Sequence, residues 1–182
     1  MTNQLRKYQK WSIFNLIKKI YYKFYLPGNP DNLYIEKNVQ FLRFPKNIFF
    51  GDNVYIKENV KICPCNKNAK IFIGSNTTIG YNTLIFASKK IEIGNDCLIA
   101  PNVHFVDSNH QYKKKYKINK QKNISKNIKV GNDVHIGSGC TILPGTIIED
   151  GAVIGARSVT KGKIRKYTIN VGVPAKIIAI RK

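Results

Sequence analysis

The chain has 182 residues, enough for one domain with a sizeable core, and 43% of them are hydrophobic. Its net charge of +21 is concentrated: residues 1–25 carry six basic and no acidic side chains, and residues 111–129 carry eight lysines and no acid, which leaves +7 for the rest. No apolar run approaches the roughly 18 residues of a membrane span, and the four cysteines show no zinc, redox or disulfide-scaffold spacing.

From the N-terminus, Ile13, Ile17, Ile20 and Phe24 share one helical face, with Trp11, Phe14 and Tyr21 beside it and Lys18, Lys19 and Lys23 among them. Pro27-Gly28 stops the helix. A basic amphipathic helix over 1–28 suits an anionic membrane surface or a lipid-linked glycan. It equally suits packing across an open sheet end, with its apolar face buried. Lys18 and Lys19 interrupt the apolar stretch and no small-residue cleavage site follows, so it makes a poor signal peptide. The expected location is cytoplasmic, with residues 1–25 opening the option of peripheral contact at the inner membrane face.

Residues 29–171 follow a beat of six. Phe50, Ile56 and Ile62 are spaced by it, then Ile73, Ile79 and Ile85, then Ile93, Ile99 and Phe105; after a break come Val130, Ile136, Ile142, Ile148 and Ile154. Four residues beyond these markers stand Val54, Val60, Thr77, Thr83, Cys97, Val103, Val134, Cys140, Thr146, Ala152 and Ser158, all small or β-branched. One residue beyond, glycine recurs at 51, 74, 80, 94, 131, 137 and 155. A period of six fits neither a 3.6-residue helix nor a long two-residue alternation. It fits a short strand and a tight corner, with the marker inward and a smaller inward residue four later. Glycine beside the marker suits either unusual dihedrals or close backbone approach. Three such strands make one triangular coil of 18 residues, and stacked coils form parallel ladders about 4.8 Å apart. A β-sandwich would need hairpin dipeptides and turns every 8–12 residues, and neither occurs. "LYIEKNVQF" (33–41) reads as a worn first coil that caps the stack.

The beat stops after "FVDSNH", and a lysine-rich excursion fills 111–127. Long loops in compact folds are often functional. His110 stands at its root, and histidine is the side chain suited to proton transfer near neutral pH. Asp107 either holds that imidazole in its useful tautomer or caps the loop. A segment 172–182, "VGVPAKIIAI" at its core, closes the chain as a tail or short helix.

"IGSNTTIGYN", "IEIGNDCLIAPN" and "VGNDVHIGSGCTILPGTIIEDGAVIGARSV" resemble the hexapeptide-repeat acyltransferases, and "VGVPAKIIAI" is similar to the G-x-P-A-K-x-I tail of that family. The resemblance implies an all-β fold, a left-handed parallel β-helix, against the usual right-handed crossover rule. It implies acetyl-CoA as co-substrate, no metal, a saccharide acceptor, and a homotrimer with its site between neighbouring subunits. "IAPNVHFVDSNH" is similar to the galactoside and maltose acetyltransferases and to the D-H-N-H stretch of polysaccharide O-acetyltransferases, which makes His110 the catalytic base. The same resemblance implies Ser138 as an oxyanion donor and Ala156, Thr160 and Lys161 along the CoA path. It implies Asn82 on the acceptor, and His135 in place of a tryptophan found in V-W-I-G. The function so expected is O-acetylation of a cell-surface polysaccharide sugar or its precursor. The runner-up is N-acetylation of a nucleotide-linked amino sugar. A γ-type carbonic anhydrase needs three histidines around zinc, and the separations of His104, His110 and His135 do not resemble that pattern. A nucleic-acid protein is not expected, because no RNA- or DNA-binding motif accompanies the charge.

Overall fold

In the computed structural model, the residues described are Tyr22, 25–28, Pro30 and 32–182. Most of the expected helix over 1–28 lies outside them. Where the chain reaches Leu26, that side chain is buried in the core, and Tyr22 sits edge-on to Phe41 with ring centroids 5.4 Å apart.

The six-residue beat becomes six stacked coils of three strands each. The first holds β1 (Tyr34–Ile35), β2 (Gln40–Phe41) and β3 (Ile48–Phe50). The second holds β4 (Tyr55–Ile56), β5 (Lys61–Pro64) and β6 (Lys70–Ile73), and the third β7 (Thr78–Ile79), β8 (Leu84–Ala87) and β9 (Lys90–Ile93). In the fourth, β10 (Leu98–Ile99) and β11 (His104–Val106) precede an excursion formed by β12 (Ser108–His110) and β13 (Asn123–Ser125), and β14 (Ile128–Val130) resumes the coil. The fifth holds β15 (His135–Ile136), β16 (Thr141–Ile142) and β17 (Ile147–Ile148); the sixth holds β18 (Val153–Ile154), β19 (Val159–Thr160) and β20 (Lys163–Ile164). Finally β21 (Thr168–Gly172) adds to the first face, and β22 (Ala175–Ile180) folds back on it.

Three parallel ladders make the faces of this prism, and each carries one inward column. On the first face Ile35, Ile56, Ile79, Ile99, Ile136, Ile154 and Asn170 stand in register. On the second the column is Phe41, Ile62, Ile85, Phe105, Ile142 and Thr160. On the third it is Phe50, Ile73, Ile93, Val130, Ile148 and Ile164. Every six-spaced marker is therefore in the core, and so is every small residue four positions later. The corners leave those small residues little room. Their polar atoms bond to the neighbouring coil, as Thr77 Oγ1 does to the Gly94 carbonyl at 2.9 Å.

Of the two readings of the glycine slot, close approach is the one the structure takes. The positive φ values fall elsewhere, on corner residues such as Asn76 (58°) and Asn102 (60°), where a short amide side chain tolerates them. A Cβ on Gly94 would collide with the Gly131 carbonyl of the next coil, with Gly131 C at 2.6 Å and Asn132 Oδ1 at 2.7 Å. Backbone cannot yield as a side-chain tip can. Gly94→Ala should therefore cost about 3 kcal/mol, a fall in Tm of roughly 10 °C by calorimetry. Gly162→Ala meets open space at φ +79° and should cost only about 1 kcal/mol of backbone strain.

The expected short C-terminal helix is a strand. β22 pairs antiparallel with β21, and Arg181 ties its end to Asp133 at 2.9 Å. β-branched Ile177, Ile178 and Ile180 suit a pleated edge better than a helix.

Candidate active site

The excursion leaves at the edge between the second and third faces. Asp107 fixes its root. The side chain is fully buried, and its oxygens accept from three backbone N–H groups of the preceding coil: Ser88 at 2.6 Å, Lys89 at 2.7 Å and Lys90 at 2.8 Å. Its own carbonyl accepts from Lys126 N at 2.8 Å, so both ends of the excursion meet on this residue. Ser88 Oγ and Ser108 Oγ add a bond at 3.1 Å. Three of the carboxylate's roughly four acceptor positions are taken by backbone donors, which favours the loop-capping alternative over the acid that orients the histidine.

From this anchor the chain runs outward as a hairpin, not as a plain loop over 111–127. Ser108 pairs with Ser125, Asn109 with Ile124 and His110 with Asn123. His110 is exposed at the mouth of a groove of about 460 Å³. One wall is the hairpin, from Asn109 to Lys113 with Ile124 and Lys126. The other is Leu143, Pro144 and Lys161, from the same corner of the next two coils. The wall residues include three lysines and no carboxylate. An imidazole here can accept a proton, and the cations around it favour an anionic ligand.

The remaining expected residues fall in other places. Asn82, Ser138 and Ala156 are exposed along the edge between the first and second faces, in the third, fifth and sixth coils. His135 is half-buried on the first face, where Nδ1 lies 3.1 Å from the Leu98 carbonyl oxygen. A carbonyl only accepts, so Nδ1 is the donor in this contact. Thr160 is wholly buried in the second-face column, and its Oγ1 has no hydrogen-bond partner among the described residues. It cannot line a cofactor path, because it occupies the inward marker slot six residues after Ile154. Within one chain, His110 and Lys161 come together, whereas Asn82, Ser138 and Ala156 lie on another edge.

Sequence reasoning did not single out Lys113, Ile124, Lys126, Leu143 or Pro144 as groove wall. Coil stacking could have found the last two, since 143–144 turns the corner directly after the excursion. Cys63 and Cys65 sit on this same edge in the second coil with Sγ atoms 3.8 Å apart, and burial above all pushes the Cys63 thiol up to about 11. Among the described residues no group of three or more His, Cys, Asp or Glu is placed to hold a metal. No helix among them is long and apolar enough to cross a membrane.

Residues 127–162 match the bacterial transferase hexapeptide (six repeats) model, and residues 70–104 match the hexapeptide repeat of succinyl-transferase. No curated protein sequence matches the chain. Among solved structures, the fold is similar to AntD, an N-acyltransferase from Bacillus cereus in complex with dTDP and 3-hydroxybutyryl-CoA. The TM-score is 0.77 at 22% identity, over 91% of this chain and 88% of that one. It is also similar to a maltose O-acetyltransferase from Clostridium difficile 630 (TM-score 0.63, 24% identity, 96% and 80% covered). A hexapeptide-repeat acetyltransferase from Vibrio cholerae resembles it as well (TM-score 0.62, 22% identity, 94% and 83% covered). The chain shares its architecture with acyl- and acetyltransferases.

Proposed function

We propose that this chain, a hexapeptide-repeat protein by its matched segments, is an acetyl-CoA-dependent O-acetyltransferase acting on a hydroxyl of a cell-surface polysaccharide sugar or its precursor. The observation that carries the reading is the exposed imidazole of His110 at the mouth of a lysine-walled groove.

Neutral His110 accepts the proton of a sugar hydroxyl as that oxygen attacks the thioester carbonyl. The tetrahedral intermediate needs a donor for its oxyanion. Collapse breaks the C–S bond, and the imidazolium returns its proton to the departing CoA thiolate. No covalent enzyme intermediate is required, because the thioester is already activated. Lys161, with Lys113 and Lys126 beside it, meets phosphate charges of CoA. Ser138 supplies the oxyanion donor, Ala156 flanks the pantetheine, and Asn82 and His135 face the acceptor. These four stand away from His110 within one chain, so the complete site is assembled by a homotrimer that sets one subunit's edge against another's. The protein works in the cytoplasm, where acetyl-CoA is available.

N-acetylation of a nucleotide-linked amino sugar is the second reading, favoured by the similarity to AntD. An amine needs less help from a base than a hydroxyl does. Thiol release from acetyl-CoA with a panel of acceptor glycans and amino-sugar nucleotides separates the two. The O-acetyl reading expects turnover with hydroxyl acceptors that lack an amine. Turnover confined to amino sugars overturns it, and no acyl transfer to either class overturns both.

A further inference from the structure

Beyond the groove, the hairpin tip carries chemistry that acyl transfer leaves unused. Residues 112–120 are exposed without a gap. They include Lys114, Lys115, Lys117 and Lys120, none of which lines the groove or joins an ion pair among the described residues. Interleaved with them beyond the groove, Tyr116 is 57% and Ile118 58% exposed; Tyr112 (76%) and Ile124 (50%) are exposed as well but also line the groove. Lone exposed apolar residues are ordinary, but four on one short excursion are not.

The tip is also held in shape. Gln121 Oε1 accepts from Lys113 N at 2.9 Å, and its Nε2 donates to the Lys113 and Tyr116 carbonyls at 3.0 and 2.9 Å. A 3-10 turn over Ile118–Lys120 completes it. An internal brace of this kind presents the cations and rings without a large ordering cost on binding.

We infer that the hairpin tip is a docking element for an anionic phospholipid surface. Lysine ammonium groups meet the headgroup phosphates, tyrosine rings suit the interfacial layer, and the isoleucines gain by entering the acyl boundary. A nucleic acid would use the lysines and could stack on the tyrosines. It offers nothing to Ile118, so the aliphatic residue at the tip favours the bilayer. The inference is separate from any contact made by residues 1–25 and does not require the acyl-transfer reading.

The test is co-sedimentation of the full chain with vesicles of mixed phosphatidylglycerol and phosphatidylcholine, and with phosphatidylcholine alone. Wild type should partition to the anionic vesicles only. One variant is Lys114→Gln/Lys115→Gln/Lys117→Gln/Lys120→Gln. At about five-fold per lysine near a charged surface, it should lose at least a hundred-fold in partitioning. A second, Tyr116→Ser/Ile118→Ser, should lose roughly ten-fold or more with all charge retained. Unaltered thermal unfolding, and unaltered turnover on a soluble acceptor, keep these losses distinct from misfolding and from failure of the enzyme reading. Wild-type partitioning by the lysine variant overturns the inference, because the contact then lies elsewhere. Unaffected partitioning by the serine variant, or release from vesicles by duplex DNA or RNA, overturns it in favour of a purely electrostatic polyanion site.

Discussion

Replacing His110 by alanine should lower acetyl transfer by about 10²- to 10⁴-fold, the range general-base catalysis commonly supplies. The loss should fall on kcat and kcat/KM together, since in the proposed reaction the proton is transferred only as the hydroxyl attacks. KM for acetyl-CoA should move little, because the lysines proposed to meet its phosphates remain. The fold should survive: His110 is exposed, and its backbone pairing with Asn123 does not depend on the side chain. Unfolding within about 0.5 kcal/mol of wild type is the check, as for surface substitutions generally. A stable variant with wild-type turnover would remove His110 from the mechanism and leave the groove without a base.

The prism was readable because its physics repeats. One inward column per face demands a large residue every six positions, and the narrow corner demands a small one four later. Those two demands fix register and core together. The glycine slot was visible too, yet its cause was not. Sequence alone leaves dihedral freedom and close approach equally open, and only stacked coordinates show the Gly131 carbonyl where a Cβ on Gly94 would stand. Thr160 shows a different failure. Its place in the beat made it inward, but a motif match put it on a ligand path. The corner after it explains the mismatch: Ile148 pairs with Ile164, whereas Ile142 pairs with Thr160, so the sixth coil turns that corner two residues sooner than the fifth. The excursion resisted reading for its own reason. "SNH" and "NIS" have little strand propensity, and their pairing as β12 and β13 comes from the anchor beneath them rather than from their side chains.

That anchor carries the second large effect. Asp107→Ala would leave the Ser88, Lys89 and Lys90 amides without their acceptor at a position sealed from water. Charge-assisted bonds are worth about 1.5–3 kcal/mol each, and stranded buried donors add their own penalty. Since neighbouring losses are not additive, about 4 kcal/mol is a fair total, seen as a Tm lower by 10 °C or more. Hydrogen exchange should report the loss at those three amides first. Activity distinguishes the anchor from a triad acid. A carboxylate that orients an imidazole costs about 10⁴ in kcat when changed to its amide, with stability intact. An anchor behaves the other way. Asp107→Asn keeps one acceptor oxygen but turns an amide N–H toward backbone donors, so stability falls clearly. Turnover falls only as far as the loosened root misplaces His110, about ten-fold. A stable Asp107→Asn protein with turnover down by several orders of magnitude would restore the triad reading and refute the anchor.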